Sequence, residues 1–218
     1  MISTVTYRRD WSSDGNNATT LALVVNAQSG QPYSYVIGGN SGQNINNEPG
    51  STNANRSLVY IPRNASDINL VPYTAGGVTY TAAQQWEWLN KTIEDDKYLK
   101  NNRGKYAEKN GAWAPFETYI DLSLRHDLGL NVNGQRQRLQ LMLDVQNFAN
   151  MLNNEWGARY FVPGNFNNYY LYQFEGYETN GTTPRFTFRQ NTTGLDRYGI
   201  SQVSSRWRMR FGVKYMFN

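Results

Sequence analysis

Few side chains in this sequence are able to do acid–base or metal chemistry. His126 is the only histidine, and there is no cysteine. General-base work by His126 would need a hydroxyl nucleophile and an orienting carboxylate, with Asp121 or Asp127 the nearest in sequence. No nucleophile-elbow motif accompanies them, so a structural histidine near a strand end is the favoured reading. One histidine without thiolates falls short of the three or four ligands of a zinc site. Glu94, Asp95 and Asp96 form the one compact acidic cluster. A calcium loop needs oxygen ligands at alternate positions and a glycine at the sixth, and that pattern is missing. The cluster reads as a solvated helix face. The expectation is a protein that is not an enzyme and uses no cofactor or metal.

A second set of residues is suited to binding. Trp113, Tyr160, Phe161, Phe166, Tyr169 and Tyr170 lie in polar, Asn-rich stretches, with Tyr172, Phe174 and Tyr177 close behind. Such rings can stack on sugars or grip peptide side chains. They can also pack loops together or rest in an interfacial aromatic girdle, and that bland reading weighs more. The first six are the candidate ligand contacts.

Composition narrows the class. Hydrophobic residues make up 39% of the 218-residue chain, below the usual globular share, while aromatics reach 14%. Few aliphatics combined with many rings and turn formers point to β-structure with long polar loops, and the rings argue against disorder. The net charge is +4, but Lys and Arg are scattered, so nucleic acid is not an expected partner. The longest apolar run, Leu21 to Val25, is far short of the ~20 residues of a membrane-crossing helix.

The elements that must carry these residues show a period of two. In RWRMRFGVKYMFN, Trp207, Met209, Phe211, Val213, Tyr215 and Phe217 share one face, and Arg206, Arg208, Arg210, Gly212, Lys214 and Met216 the other. Eleven residues at ~3.3 Å, tilted near ~40°, rise roughly 28 Å, the apolar height of an outer membrane. Leu139, Leu141, Leu143 and Val145 alternate with Gln140, Met142, Asp144 and Gln146. Ile120, Leu122 and Leu124 alternate with Asp121, Ser123 and Arg125. Leu21, Leu23 and Val25 oppose Ala22, Val24 and Asn26. Expected strands are therefore about 1–9, 19–28, 116–127, 138–148 and 206–217. Charges on the polar face would be costly in lipid and are expected to pair across strands in a lumen.

The joins alternate in length. Residues 10–18 and 129–137 are short, the second holding Asn133-Gly134, a strong hairpin signal. Residues 38–115 and 149–205 are long. Short turns on one side and long loops on the other make the topology of an outer-membrane barrel. The first long loop is expected to hold a short helix, because Trp86, Leu89, Ile93 and Tyr98 fall near helical spacing and Gly104 can stop it. The N-terminus MISTVTYRRDW has no basic-then-apolar signal-peptide pattern and reads as mid-strand, so the chain is expected to begin inside a longer product.

The stretches NAQSGQPYSYVIGG (26–39), LVYIPRNASDINL (58–70), GKYAEKNGAWAPFETYIDLSLRHDL (104–128), LQLMLDVQNFANMLNNEWG (139–157) and SSRWRMRFGVKYMFN (204–218) resemble the C-terminal barrel of Oar-like TonB-dependent outer-membrane receptors, the group with a carboxypeptidase-regulatory-like N-terminal domain. The resemblance implies an all-β fold, a transmembrane antiparallel barrel of 22 strands, of which this chain supplies about five. It implies a cell outer-membrane location and a wall segment of a receptor/transporter for an unidentified ligand. The implied partners are outer-membrane lipid, the rest of the barrel and its plug, TonB acting through an N-terminal region outside this sequence, and the barrel-insertion machinery. The insertion signal maps onto Phe211, Val213, Tyr215 and Phe217, with the departure that Asn218 follows Phe217.

Two other classes compete. One is an adhesive or structural outer-membrane barrel without transport. The other is a soluble, glycan-binding β-sandwich, disfavoured because sandwich strands rarely alternate over eleven residues.

Overall fold

The computed structural model describes residues 1–39, 45, 57–164, 167–190 and 197–217. Among the described residues strands take 49% and helices 16%, a mostly β protein. No helix among the described residues is long and apolar enough to cross a membrane.

In chain order the strands are β1 (Ile2–Asp10), β2 (Ala18–Gln28), β3 (Pro32–Gly39), β4 (Tyr73–Ala75), β5 (Val78–Tyr80), β6 (Ala112–Trp113), β7 (Glu117–Val132), β8 (Gln135–Gln146), β9 (Tyr160–Phe161), β10 (Asn168–Tyr177), β11 (Pro184–Thr187), β12 (Gly199–Ile200) and β13 (Arg208–Met216). The helices are α1 (Ala82–Glu94), α2 (Lys97–Asn101), α3 (Phe148–Leu152) and α4 (Gln202–Ser205). The chain divides into two compact units. The first is Met1–Gly30, Pro115–Tyr160 and Ile200–Asn218, and the second is Gln31–Ala114 and Phe161–Gly199.

The first unit is an antiparallel sheet in the order β1-β2-β7-β8-β13. Each of the five segments expected as strands overlaps one of these five; the expected 138–148 stops at Gln146, where Asn147 turns left-handed (φ 51°), and the expected 206–217 is trimmed to Arg208–Met216. They alternate because one face collects Leu, Val and Phe while the other collects charge, and a one-residue slip would exchange the faces. The short turns are shorter than expected. β7 runs to Val132 and β8 starts at Gln135, leaving Asn133 (φ 53°) and Gly134 (φ 81°) as a two-residue turn. Both residues are left-handed, the geometry whose twist matches that of the flanking strands. His126 therefore lies inside β7, six residues before its end, and not at a strand end as expected. At the opposite end of the sheet the buried Asn147 acts as a hub. Its N–H donates to Asp121 Oδ1 at 2.7 Å, and its side-chain amide donates to Gly157 O at 2.8 Å and Ser205 O at 2.6 Å.

The second unit corrects the reading of 38–115 and 149–205 as loops. Within it, β11-β10-β3-β6 form a four-stranded sheet in which β10 and β3 run parallel. Tyr33, Tyr35, Ile37, Val59, Ile61, Leu89, Ile93, Leu99, Tyr172, Phe174 and Phe186 share one hydrophobic core. Each fully buried side chain of this size contributes about 1.5–3 kcal/mol, so these segments fold around an interior of their own. The expected single helix is two. Thr81 opens α1 with a reciprocal capping box to Gln84, and Leu89 and Ile93 are buried. The chain leaves the helix at Asp95–Asp96 because the Asp96 carboxylate caps α2, accepting from Leu99 N–H at 2.7 Å.

Candidate functional site

The sheet register assembles one face row by row. Tyr7, Leu21, Leu124, Leu143 and Phe211 form one row. Val5, Leu23, Leu122, Val145 and Met209 form the next toward the long connections. On the turn side the row is Arg9, Thr19, His126, Leu141 and Val213, and beyond it come Leu128, Leu139 and Tyr215. This face stays open on the edge strands. Val5 is 62% exposed, Phe211 67% and Val213 56%. The four residues matched to an insertion signal, Phe211, Val213, Tyr215 and Phe217, stand exposed on or just beyond β13.

The opposite face carries charge in a ladder. Asp144 accepts from Arg125 at 2.7 Å and from Arg210 at 3.4 Å, and Asp127 accepts from Gln140 Nε2 at 2.8 Å. His126 is on the apolar face, where its Nδ1 lies 2.8 Å from Thr19 Oγ1, which also accepts from Trp11 Nε1 at 2.8 Å. Arg9 covers the Trp11 ring at 4.5 Å. Asp121 and Asp127 are one residue out of phase with His126, on the other face, so they cannot orient it as a triad would.

The fold separates the candidate aromatics. Tyr172 and Phe174 are in the core at 3% and 1% exposure. Tyr169 is half-buried with its ring 5.5 Å from Tyr35, and Tyr170 is half-buried in β10. Tyr160 is half-buried and Phe161 exposed, in the short strand β9. Phe166 lies outside the described residues. Of these rings, Trp113, Tyr172 and Tyr177 line cavities. Trp113, 58% exposed, stands at a cavity of about 620 Å³ with Tyr33, Lys97, Tyr98, Arg197 and Tyr198.

A polar chain runs into the wall of that cavity. Arg197 pairs with Asp96, which accepts from Tyr35 Oη at 2.9 Å. Tyr35 Oη lies 2.9 Å from Tyr33 Oη, itself 3.1 Å from Tyr198 Oη. Burial pushes the Tyr33 and Tyr35 phenols well above the ordinary tyrosine range, so both stay protonated and serve as hydrogen-bond groups. Such a chain of groups can hold and orient a polar ligand through hydrogen bonds. The acidic cluster expected on a solvated helix face is split. Glu94 pairs with Lys100 at 2.9 Å and Arg103 at 2.8 Å, contacts that hold its carboxyl below the usual range, while Asp96 turns inward. Among the described residues no group of three or more His, Cys, Asp or Glu is placed to hold a metal ion.

The sequence reading missed Asp96, Arg197, Tyr33, Tyr35 and Tyr198 as one network. They come from distant parts of the chain, and no local spacing announces them. Comparison of the chain with protein-family models, curated proteins and solved structures found no match.

Proposed function

We propose that this chain is a wall segment of an outer-membrane β-barrel of the TonB-dependent receptor type, carrying extracellular segments that contribute to capture of a ligand. The apolar face meets lipid, the charged face lines the lumen, and the two long connections, which leave the same end of the sheet, lie on the outer side. Partners under this reading are lipid, the rest of the barrel and plug, TonB and the insertion machinery.

The supporting observation is the slant of the apolar band. On β1 the band ends at Tyr7, before Arg9. On β13 it continues past Phe211, which is in the Tyr7 row, to Tyr215. Four residues at ~3.3 Å are ~13 Å, displaced over four strand spacings of ~4.8 Å, so the band is inclined to the rows by roughly 35°. A horizontal hydrocarbon slab imprints this slant on strands that cross it tilted by ~35–45°, the tilt of membrane barrels. A soluble sandwich would instead cover the face with a second sheet, yet Phe211 and Val213 are open.

Spin labelling tests the reading. The sequence has no cysteine, so a single Cys at Leu141 or Gln140 places a label on one face of β8. In liposomes the label at 141 is expected to collide with oxygen dissolved in lipid, and the label at 140 with an aqueous nickel chelate. Equal aqueous accessibility at both sites would sink the proposal.

A further inference from the structure

A second cavity lies within the second unit, away from Trp113 and Arg197. It measures about 310 Å³ and is lined in part by Tyr60, Asp67, Tyr106, Tyr177, Thr182 and Phe186, near the lower end of the ~300–1,000 Å³ of small-molecule sites. Its wall combines two kinds of group. Tyr106 is 62% exposed and Tyr177 41%, open rings in a chain whose neighbouring Tyr172 and Phe186 are buried. Tyr106 is held edge-on to Tyr60 with centroids 5.5 Å apart, and Tyr60 is fixed from behind by Tyr172 Oη, which donates to Tyr60 O at 2.9 Å.

The polar group is Asp67. Its Oδ2 accepts from Arg63 N–H at 3.0 Å, from Arg63 Nε at 3.1 Å and from Tyr60 Oη at 3.2 Å. Among the described residues nothing donates to Oδ1. Arg63 offsets the carboxylate charge, and none of the described lining residues is Lys or Arg. An anion would find no free cation here, and a cation would find a carboxylate already neutralised. A ligand that brings hydroxyl donors on one side and a C–H face on the other satisfies both Oδ1 and the open rings.

We infer that this cavity is a binding site for a neutral saccharide of one or two rings, stacked on Tyr106 and hydrogen-bonded through a hydroxyl to Asp67 Oδ1. The inference stands on the second unit alone and does not require the sheet to lie in a membrane. Buried Ile68 and Phe186 close the floor, and Thr182 adds a rim hydroxyl.

The test uses the full chain in detergent micelles, with maltose, cellobiose, lactose and chitobiose as probes, and sialyllactose and a lysine tripeptide as charged controls. Saturation-transfer NMR is expected to show contact with the ring C–H protons of at least one neutral disaccharide at millimolar concentration, and none with the controls. Tyr106→Ala is expected to weaken that binding about tenfold, the loss of one stacking contact, whereas Tyr106→Phe retains it. Asp67→Asn is expected to weaken it too. Tyr106 is exposed, so its truncation leaves the core intact. Absence of binding by all four sugars, stronger binding by a charged control, or indifference to Tyr106→Ala would each overturn the assignment.

Discussion

Arg125 Nη1 lies 2.7 Å from Asp144 Oδ1 across the β7–β8 pair, and from the other side Arg210 of β13 reaches the second oxygen of the same carboxylate at 3.4 Å. One anion thus separates two guanidiniums on a single face. Asp144→Asn leaves those cations facing each other. Because the groups are partly exposed, the expected loss is about 1 kcal/mol, not the several of a buried pair. Urea unfolding in lipid vesicles, followed by tryptophan fluorescence, measures it. The double change Asp144→Asn with Arg210→Gln is expected to lose less than the single one.

Adjacent positions on β8 distinguish the faces. Leu141 sits between His126 and Val213 on the apolar face, and Gln140 between Asp127 and Lys214 on the charged face. If the proposed membrane placement holds, Leu141→Arg puts a charge in hydrocarbon, with an expected cost of about 2–4 kcal/mol. Gln140→Arg replaces one hydrogen bond to Asp127 with an ion pair and is expected to cost under ~1 kcal/mol. Vesicle unfolding free energies of equal size would contradict the face assignment.

Gly134 has φ 81° and open space around an added Cβ. Gly134→Ala therefore carries only the backbone penalty of the left-handed region, about 1 kcal/mol. The strands it joins keep their register, so the unfolding midpoint is expected to fall while the circular dichroism spectrum of the folded state is unchanged.

Asn147 joins three segments of the chain, through the Asp121 carboxylate and the Gly157 and Ser205 carbonyls. Asn147→Ala leaves two carbonyls without their donor at a buried position and keeps the left-handed φ of 51°. The expected cost is about 2–3 kcal/mol. Hydrogen exchange is the direct readout, with protection lost first around 147–157 and 201–205. Retained protection there would argue against the hub.

The Asp67 carboxyl is held below the usual range, first by the Arg63 backbone N–H and then by its guanidinium. A lowered folded value stabilises the protein above the ordinary carboxylate range, near ~3.9, and that contribution is lost as pH falls through the lowered value. The wild-type melting temperature is therefore expected to drop more between pH 6 and pH 3 than that of Asp67→Asn. Glu94 is common to both proteins and cancels. Parallel pH profiles would show that the contact has no energetic weight.

Legibility followed locality. Leu139 to Val145 and Phe211 to Phe217 announced their strands because each exposes one face and the alternation is written in consecutive residues. The Asn133-Gly134 turn was visible because few dipeptides accept two left-handed residues. β3 and β10 were not. Tyr33 to Ile37 and Leu171–Tyr172 are buried on both faces, which erases the period of two. The break at Asp95–Asp96 was hidden for a related reason. Helical spacing continues through Tyr98, and only the inward pull of Tyr35 and Arg197 on Asp96, together with its cap on Leu99, ends α1 there. Of the candidate ligand contacts, Trp113 reached a cavity, while Tyr60 and Asp67, close in sequence, met Tyr106, Tyr177 and Phe186 at a cavity only through the tertiary fold.

By itself the sequence determined the five long strands, their two faces and the short turns between them, because period, polarity and turn chemistry act over a few neighbouring residues. Tertiary structure alone decided that the long connections own a hydrophobic core, which tyrosines stay open and which are buried, and where Asp96 finds its partners. Those outcomes depend on side chains brought together from up to a hundred residues apart, and on the burial that follows, neither of which a local pattern encodes.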